Sequence, residues 1–234
     1  MATLGKTRPV DTDQAATDPS SSALEPSILL LADISGYTRF LEAVEEAHPE
    51  MAQPGGAIAP AYQVLSSMLD TVMARIAPSF SLLQVEGDAL FARASGPPVK
   101  GDGANFIALV RSAYHAFRLQ VQYAMNQFRH DCQACVMLPS LELKFVAHHG
   151  IVVPQTVAGR QQLAGPTVNL AHRLLKNSIT ARTGLNAYLF VTDAAVDALG
   201  LTAAFGMPYS ESYPDTGTVS GVLLALETTK YRSR

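Results

Sequence analysis

The chain has 234 residues, 48% hydrophobic and 16% charged, with 17 basic residues against 20 acidic ones and a formal net charge of -3. A chain of this size buries about 70% of the surface its unfolded form would expose, so packing alone holds one large domain without metal or disulfides. The near-neutral balance without a Lys/Arg run excludes a surface built to neutralise nucleic acid or anionic lipid, two cysteines exclude a disulfide framework and fit a reduced, cytoplasmic compartment, and no apolar run approaches the roughly 20 residues of a membrane helix.

Residues 1–26 are polar, rich in Ser, Thr, Asp and Pro, and carry no apolar stretch of the kind a secretory signal needs. They are expected to form a disordered tail before a single domain over 27–234. Ile28 to Ala32 reads as a buried strand, apolar on both faces and too short for a helix, which leaves Asp33 at its C-terminal end. Phe40, Leu41 and Val44 then fall at helical spacing from Tyr37, with Thr38 as the expected cap. Prolines and glycines in 48–57 break that helix, and a second runs from about Ile58 to Ile76 with Tyr62, Leu65, Leu69, Val72 and Met73 on one stripe.

SFSLLQVEGDALFARA reads as two strands joined at Glu86-Gly87, which puts Asp88 at the hairpin tip or at the first residue of the returning strand. A loop and a long helix over Ala104–Arg129 follow, then a Cys- and Pro-containing connection at 130–140. The remainder reads as a strand (LELKFVAHHGIVV), a helix (VNLAHRLLKNS), a strand (AYLFVT), a short helix (AAVDALG) and a final strand (VSGVLLALE). Strands alternating with helices, plus one tight hairpin, imply an α+β sandwich: a ferredoxin-like mixed sheet with helices packed on it.

If the hairpin pairs with the first strand, Asp33 and Asp88 meet at one rim, and paired carboxylates with open coordination positions are what Mg²⁺ takes. Ser35 and Gly36 let backbone N–H groups at the helix entry approach anionic oxygens. Spacing alone equally allows Asp33 to cap a helix and Asp88 a turn. Asn169 and Arg173 lie four residues apart, hence on one face of their helix. Solvation alone explains Arg173 poorly, because Val168, Leu170, Ala171, Leu174 and Leu175 surround it in sequence; a surface salt bridge is the alternative account.

Four segments together, LADISGYTRF, VEGDALFA, FVAHHGIVV and GPTVNLAHRL, resemble the signature segments of the class III adenylate/guanylate cyclase catalytic domain, in order and over roughly residues 27 to 230. LELKFVAHHG, HRLLKNS and the Cys-containing loop further resemble a bacterial cyclase-like family of unassigned function. The resemblance implies a class III nucleotide cyclase fold and conversion of a nucleoside triphosphate to a 3′,5′-cyclic nucleotide and pyrophosphate. It implies two Mg²⁺ or Mn²⁺ ions per site on Asp33, Asp88 and the Ile34 backbone, and terminal phosphates on the backbone of Ile34, Ser35, Gly36, Tyr37 and Thr38. Asn169 would orient the ribose and Arg173 would stabilise charge on the α-phosphate. It also implies a homodimer with interfacial sites, metal aspartates from one subunit and the Asn/Arg pair from the other.

The base-reading positions depart from the family pattern: Gln84 and Gln162 stand there, and an amide carries both a donor and an acceptor, so the base is open. Where the family has a triphosphate-binding Lys in the last hairpin, alignment places Ser220, with Lys176, Arg182 and Lys144 as candidates to compensate. Cys132 and Cys135 form a CxxC beside His130, short of the four ligands zinc needs. Of His148 and His149 one faces the core, and one is expected near the active-site rim; His172 is expected to point outward or to a dimer interface, and Glu86 to be solvated or to assist the metal. An alternative reading is a catalytically degenerate cyclase-homology module that binds nucleotide or a partner for regulation.

Overall fold

A computed structural model describes residues 24–49, 60–95, 102–127 and 132–227. β1 (Glu25–Ser35) is longer than the apolar run that announces it and takes in Glu25 and Pro26, which pair with β4 instead of ending a polar tail. Residues 1–23 of that tail lie outside the described residues. Next come α1 (Tyr37–Ala47), α2 (Pro60–Ile76), the hairpin β2 (Ser81–Glu86) and β3 (Ala89–Ser95), and α3 (Gly103–Gln127). The connection at 130–140 holds a short helix, α4 (Gln133–Met137), and a 3₁₀ turn. After β4 (Glu142–Val157) and β5 (Arg160–Ala164) come α5 (Pro166–Leu175), α6 (Ile179–Thr183), β6 (Tyr188–Thr192), α7 (Asp193–Leu199), β7 (Met207–Tyr213) and β8 (Gly217–Ala225).

The described residues form an eight-stranded sheet in the order β2-β3-β1-β4-β6-β8-β7, with β5 on β4. β4 and β6 run parallel and the other pairs are antiparallel, which makes the sheet mixed, as the alternation of elements implied. Period-two alternation sends Ile28, Leu30, Ala32 and Ile34 of β1 to one face, where α1, α2, α3 and α7 cover them. Leu29 and Leu31 point to the other face, under Val168 and Ala171 of α5. Val146, Tyr188 and Phe190 continue that second layer against Leu174 and Ile179. The fold is an α+β sandwich.

Two backbone features set the geometry around the rim. Gly36 closes β1 with φ 91, a left-handed conformation that glycine adopts without a Cβ penalty, and serves as the N-cap of α1. Thr38, expected as that cap, is exposed one residue inside the helix and makes no capping bond. At the other end of β4, a Cβ on Gly150 would come within 2.7 Å of Thr167 Cγ2, so the bare glycine lets the first turn of α5 rest on the strand.

Candidate functional site

Strand register builds one row of side chains across the sheet. Glu86 pairs with Ala89, Ala89 with Asp33, Asp33 with Lys144 and Lys144 with Tyr188. Directly opposed residues on antiparallel neighbours project to the same face. That face is the one α5 covers, because Asp33 follows Leu29 and Leu31 in the alternation. α5 starts over Gly150, opposite Ser27, and reaches the Asp33 end of β1 with its last turn.

Asp33, Glu86, Asp88 and Lys144 from the sheet, with His172, Arg173 and Lys176 from the end of α5, line one open cleft of about 390 Å³. Asp88 does not belong to the ladder: it occupies the Gly87-Asp88 turn between β2 and β3, where Gly87 takes φ 61, and its carbonyl accepts the Ile34 N–H at 3.2 Å. Partial burial and, second, the charge of Asp33 push the Asp88 carboxyl up to about 6. Lys144 opposes that rise, and its ammonium lies 2.6 Å from Asp33 Oδ2. Tyr37, half-buried on α1, has its phenol pushed up by burial and by the charge of Asp88, which places it within electrostatic reach of the pair.

The donor set fits a hard divalent cation. Burial and, second, the charge of Asp33 disfavour the Asp88 carboxylate, and a cation beside the pair offsets both. No group of three or more His, Cys, Asp or Glu able to hold a metal occurs among the described residues, so water and phosphate oxygens would complete the shell, as they commonly do for Mg²⁺.

Arg173 donates to Thr216 Oγ1 at 2.9 Å and to Asp215 Oδ2 at 3.3 Å, both in the β7–β8 turn. This turn stands where the missing family lysine was sought. Ser220 itself sits inside β8 opposite Ser210, and the residues of this hairpin that reach α5 are Asp215 and Thr216. Asn169 is exposed one turn back from Arg173 and does not line the cleft within this chain.

Gln84 donates to Glu86 Oε1 at 2.8 Å, and Gln162 is exposed on β5 opposite Gln155; neither lines the cleft. Ser35 reaches the Asn186 carbonyl at 3.4 Å, and Ile34 is buried with its side chain in the core. His172 turns into the cleft rather than outward, edge-on to the Phe91 ring at 4.7 Å and 3.8 Å from Glu86 Oε2. His148 and His149 pair with Leu29 and Ile28, at the end of β1 remote from Asp33, so neither reaches the rim. His148 is 8% exposed, shares a 2.9 Å hydrogen bond with Thr192, and burial pushes its pKa down to about 4. Arg182 is taken up by the Tyr209 ring at 4.8 Å and the Ser210 carbonyl, outside the cleft. Cys132 and Cys135 are half-buried thiols at the start of α4, and His130 lies outside the described residues.

Sequence reasoning missed His172 as a cleft residue, the Lys144 pair with Asp33, and the Asp215-Thr216 turn. The turn carried a signal: PDTG between two alternating runs is a hairpin tip, and a hairpin tip is free to meet a helix end.

Residues 65–183 match the family described as "Protein of unknown function (DUF2652)". A 137-residue stretch is 33% identical to the uncharacterized protein Rv2561/Rv2562 of Mycobacterium tuberculosis, covering 58% of this chain; the chain spans 59% of that relative's length. Among solved structures the fold is similar to the guanylyl cyclase Cya2, with a TM-score of 0.61 at 15% identity over 90% of this chain and 97% of that one. It is also similar to the adenylyl cyclase CyaB from P. aeruginosa, with a TM-score of 0.52 at 15% identity over 86% of this chain and 94% of that one. At this identity the likeness is one of fold.

Proposed function

We propose that this chain, which belongs to the DUF2652 family of proteins of unknown function, is a nucleotide cyclase that converts a nucleoside triphosphate to its 3′,5′-cyclic monophosphate and pyrophosphate. The observation that carries the reading is the cleft itself: a carboxylate pair with one member raised to about 6 stands across from an arginine on a separate element. The cyclase-like fold and the four sequence segments support it. Mg²⁺ or Mn²⁺, two per site, would supply the acidity that makes a ribose hydroxyl a nucleophile and would offset phosphate charge. Asp33 and Asp88 hold the cation positions, with the Ile34 backbone beside them. Gly36 and the first residues of α1 present backbone N–H groups to terminal phosphates.

Arg173 stabilises the charge that grows on the α-phosphate, once it leaves Asp215 and Thr216. Asn169, exposed on α5, orients the ribose of a nucleotide bound by a second copy, and Gln84 and Gln162 read the base across the same interface. The active species is a homodimer in the cytoplasm. Incubating the purified protein with Mn²⁺ and, separately, ATP, GTP, CTP and UTP, with products read by mass spectrometry, tests this. A cyclic monophosphate absent from the Asp33→Ala control establishes the reading, and silence with all four overturns it.

One set of contacts favours a second reading, a nucleotide-binding regulatory module without turnover. Arg173 is tied to a carboxylate, Gln84 is tied to Glu86, and the β7–β8 turn carries Asp215 and Thr216 in place of a cation. Tight nucleotide binding without product in that experiment selects this alternative.

A further inference from the structure

The basic side chains of the cleft differ in what they already hold. Lys144 is paired with Asp33 at 2.6 Å, Arg173 with Asp215 and Thr216, and His172 stands 3.8 Å from Glu86. Lys176 is exposed at the C-terminal cap of α5, and among the described residues no carboxylate pairs with it. Its backbone N–H closes on the Arg173 carbonyl at 2.9 Å, which fixes the lysine one helical turn beyond the arginine. Residues three apart on a helix stand on one face, so Arg173 and Lys176 present two successive positive charges to the same cleft. They face a wall with three carboxylates, Asp33, Glu86 and Asp88.

A ligand that bridges such walls carries several negative charges in a row along the cationic side and brings cations to the acidic side. A single phosphate spans one position; a chain of linked phosphates with divalent ions spans both. The three rotatable donors of an ammonium suit a terminal phosphate, while the planar fork of Arg173 suits an inner one.

Resting on the reading of this cleft as a nucleoside triphosphate site, we infer that Lys176 is the residue that holds the outer phosphates, and that the site selects triphosphates over monophosphates through it. Lys176 is a binding residue, and its loss raises KM while leaving kcat little changed, since it touches the leaving group in ground and transition states alike.

Calorimetric titration of the full chain with Mg²⁺ and inorganic tripolyphosphate, and in parallel with inorganic phosphate, reads this without turnover. The wild type binds tripolyphosphate, Lys176→Ala weakens it about ten- to a hundredfold, and Lys176→Arg, which keeps the charge, restores most of it. Affinity for inorganic phosphate stays the same in all three. An exposed cap residue leaves the fold intact, which an unchanged melting curve verifies. Equal tripolyphosphate affinity in wild type and Lys176→Ala overturns the assignment even where a cyclic product forms. Loss of tripolyphosphate binding in Lys176→Ala, with no cyclic product from any nucleotide in the wild type, supports the lysine and overturns the proposed activity. A wild type that binds no tripolyphosphate overturns the lysine assignment outright.

Discussion

Lys144 stands opposite Asp33 across the β1–β4 ladder, its ammonium 2.6 Å from Asp33 Oδ2, and its charge, after a backbone hydrogen bond at Asp88, counters the rise in the Asp88 pKa. The lysine therefore does for the carboxylate pair part of what a divalent ion would do. Replacing it by an apolar side chain of similar length leaves two carboxylates facing each other uncompensated. Lys144→Met is expected to melt several degrees lower than the wild type in EDTA and to regain most of that loss in millimolar Mn²⁺, by binding linkage to the folded state. Thermal melts of both proteins with and without Mn²⁺ check this, and equal Mn²⁺ shifts would refute it.

Asp88 gives a pH signature with a definite sign. Its folded-state pKa, about 6, lies above the ordinary 3.8, so the folded protein holds its proton more tightly than the unfolded chain. Charging Asp88 costs folding free energy, a cost absent below about pH 4 and complete above about pH 6. Asp88→Asn, measured in EDTA, is expected to be more stable than the wild type at pH 7.5, by about 1 kcal/mol once screening at this half-exposed position is counted. The difference should shrink to nothing between pH 6 and pH 4. A constant difference across that window would show that burial of the side chain, not its charge, sets the stability.

Two inactive proteins test how the site is shared. Asp33→Ala removes a carboxylate and Arg173→Ala a guanidinium, the latter at a cost of about 3 to 4 kcal/mol of transition-state stabilisation, or two to three decades in kcat. Mixed and allowed to exchange subunits, they are expected to stay at the level of either parent, because Asp33 and Arg173 line one cleft of a single chain and each site of a heterodimer lacks one of them. Partial recovery of the wild-type rate, with heterodimers seen in native mass spectrometry, would instead draw Asp33 from one subunit and Arg173 from the other and overturn the single-chain cleft as the place of reaction.

Gly150 controls where α5 rests. A Cβ there would press on Thr167 Cγ2, Oγ1 and Cβ, so Gly150→Ala is expected to lift the helix and cost about 1 to 3 kcal/mol. Thr167→Ala removes the atoms in the way, and the double variant should recover most of the loss. Denaturant melts of the two single variants and the double variant give the coupling; additive losses would refute the contact.

The parts of the molecule that announced themselves in sequence are those with a period. The Ile28–Ala32 run, the α2 stripe and the alternation before Gly150 all gave elements where the structure has them, while the hairpin turn falls at Gly87-Asp88, one residue beyond the Glu86-Gly87 read from sequence. From them followed the pairing of the hairpin with β1, which brings Asp88 to the end of the strand carrying Asp33. β5 went unread because RQQLA is polar and exposed on an edge, with no buried face to leave an alternation. α4, five residues long, is too short to show a helical period. The Lys144 contact with Asp33 and the Arg173 contact with Asp215 and Thr216 arise from register and from a turn meeting a helix end, and neither has a local pattern. β7 went unread because its sequence is polar and mostly exposed.

The two aspartates also differ in how they are anchored, and this governs which changes in chain length the site survives. Asp33 lies in a strand paired on both sides, so one residue inserted or deleted in β1 turns its carboxylate to the opposite face and turns Leu29 and Leu31 out from under α5 with it. Asp88 hangs from a turn outside the ladder, and a residue added there lengthens a loop without inverting anything. Length variation in the chain is thus tolerated at one carboxylate and forbidden at the other.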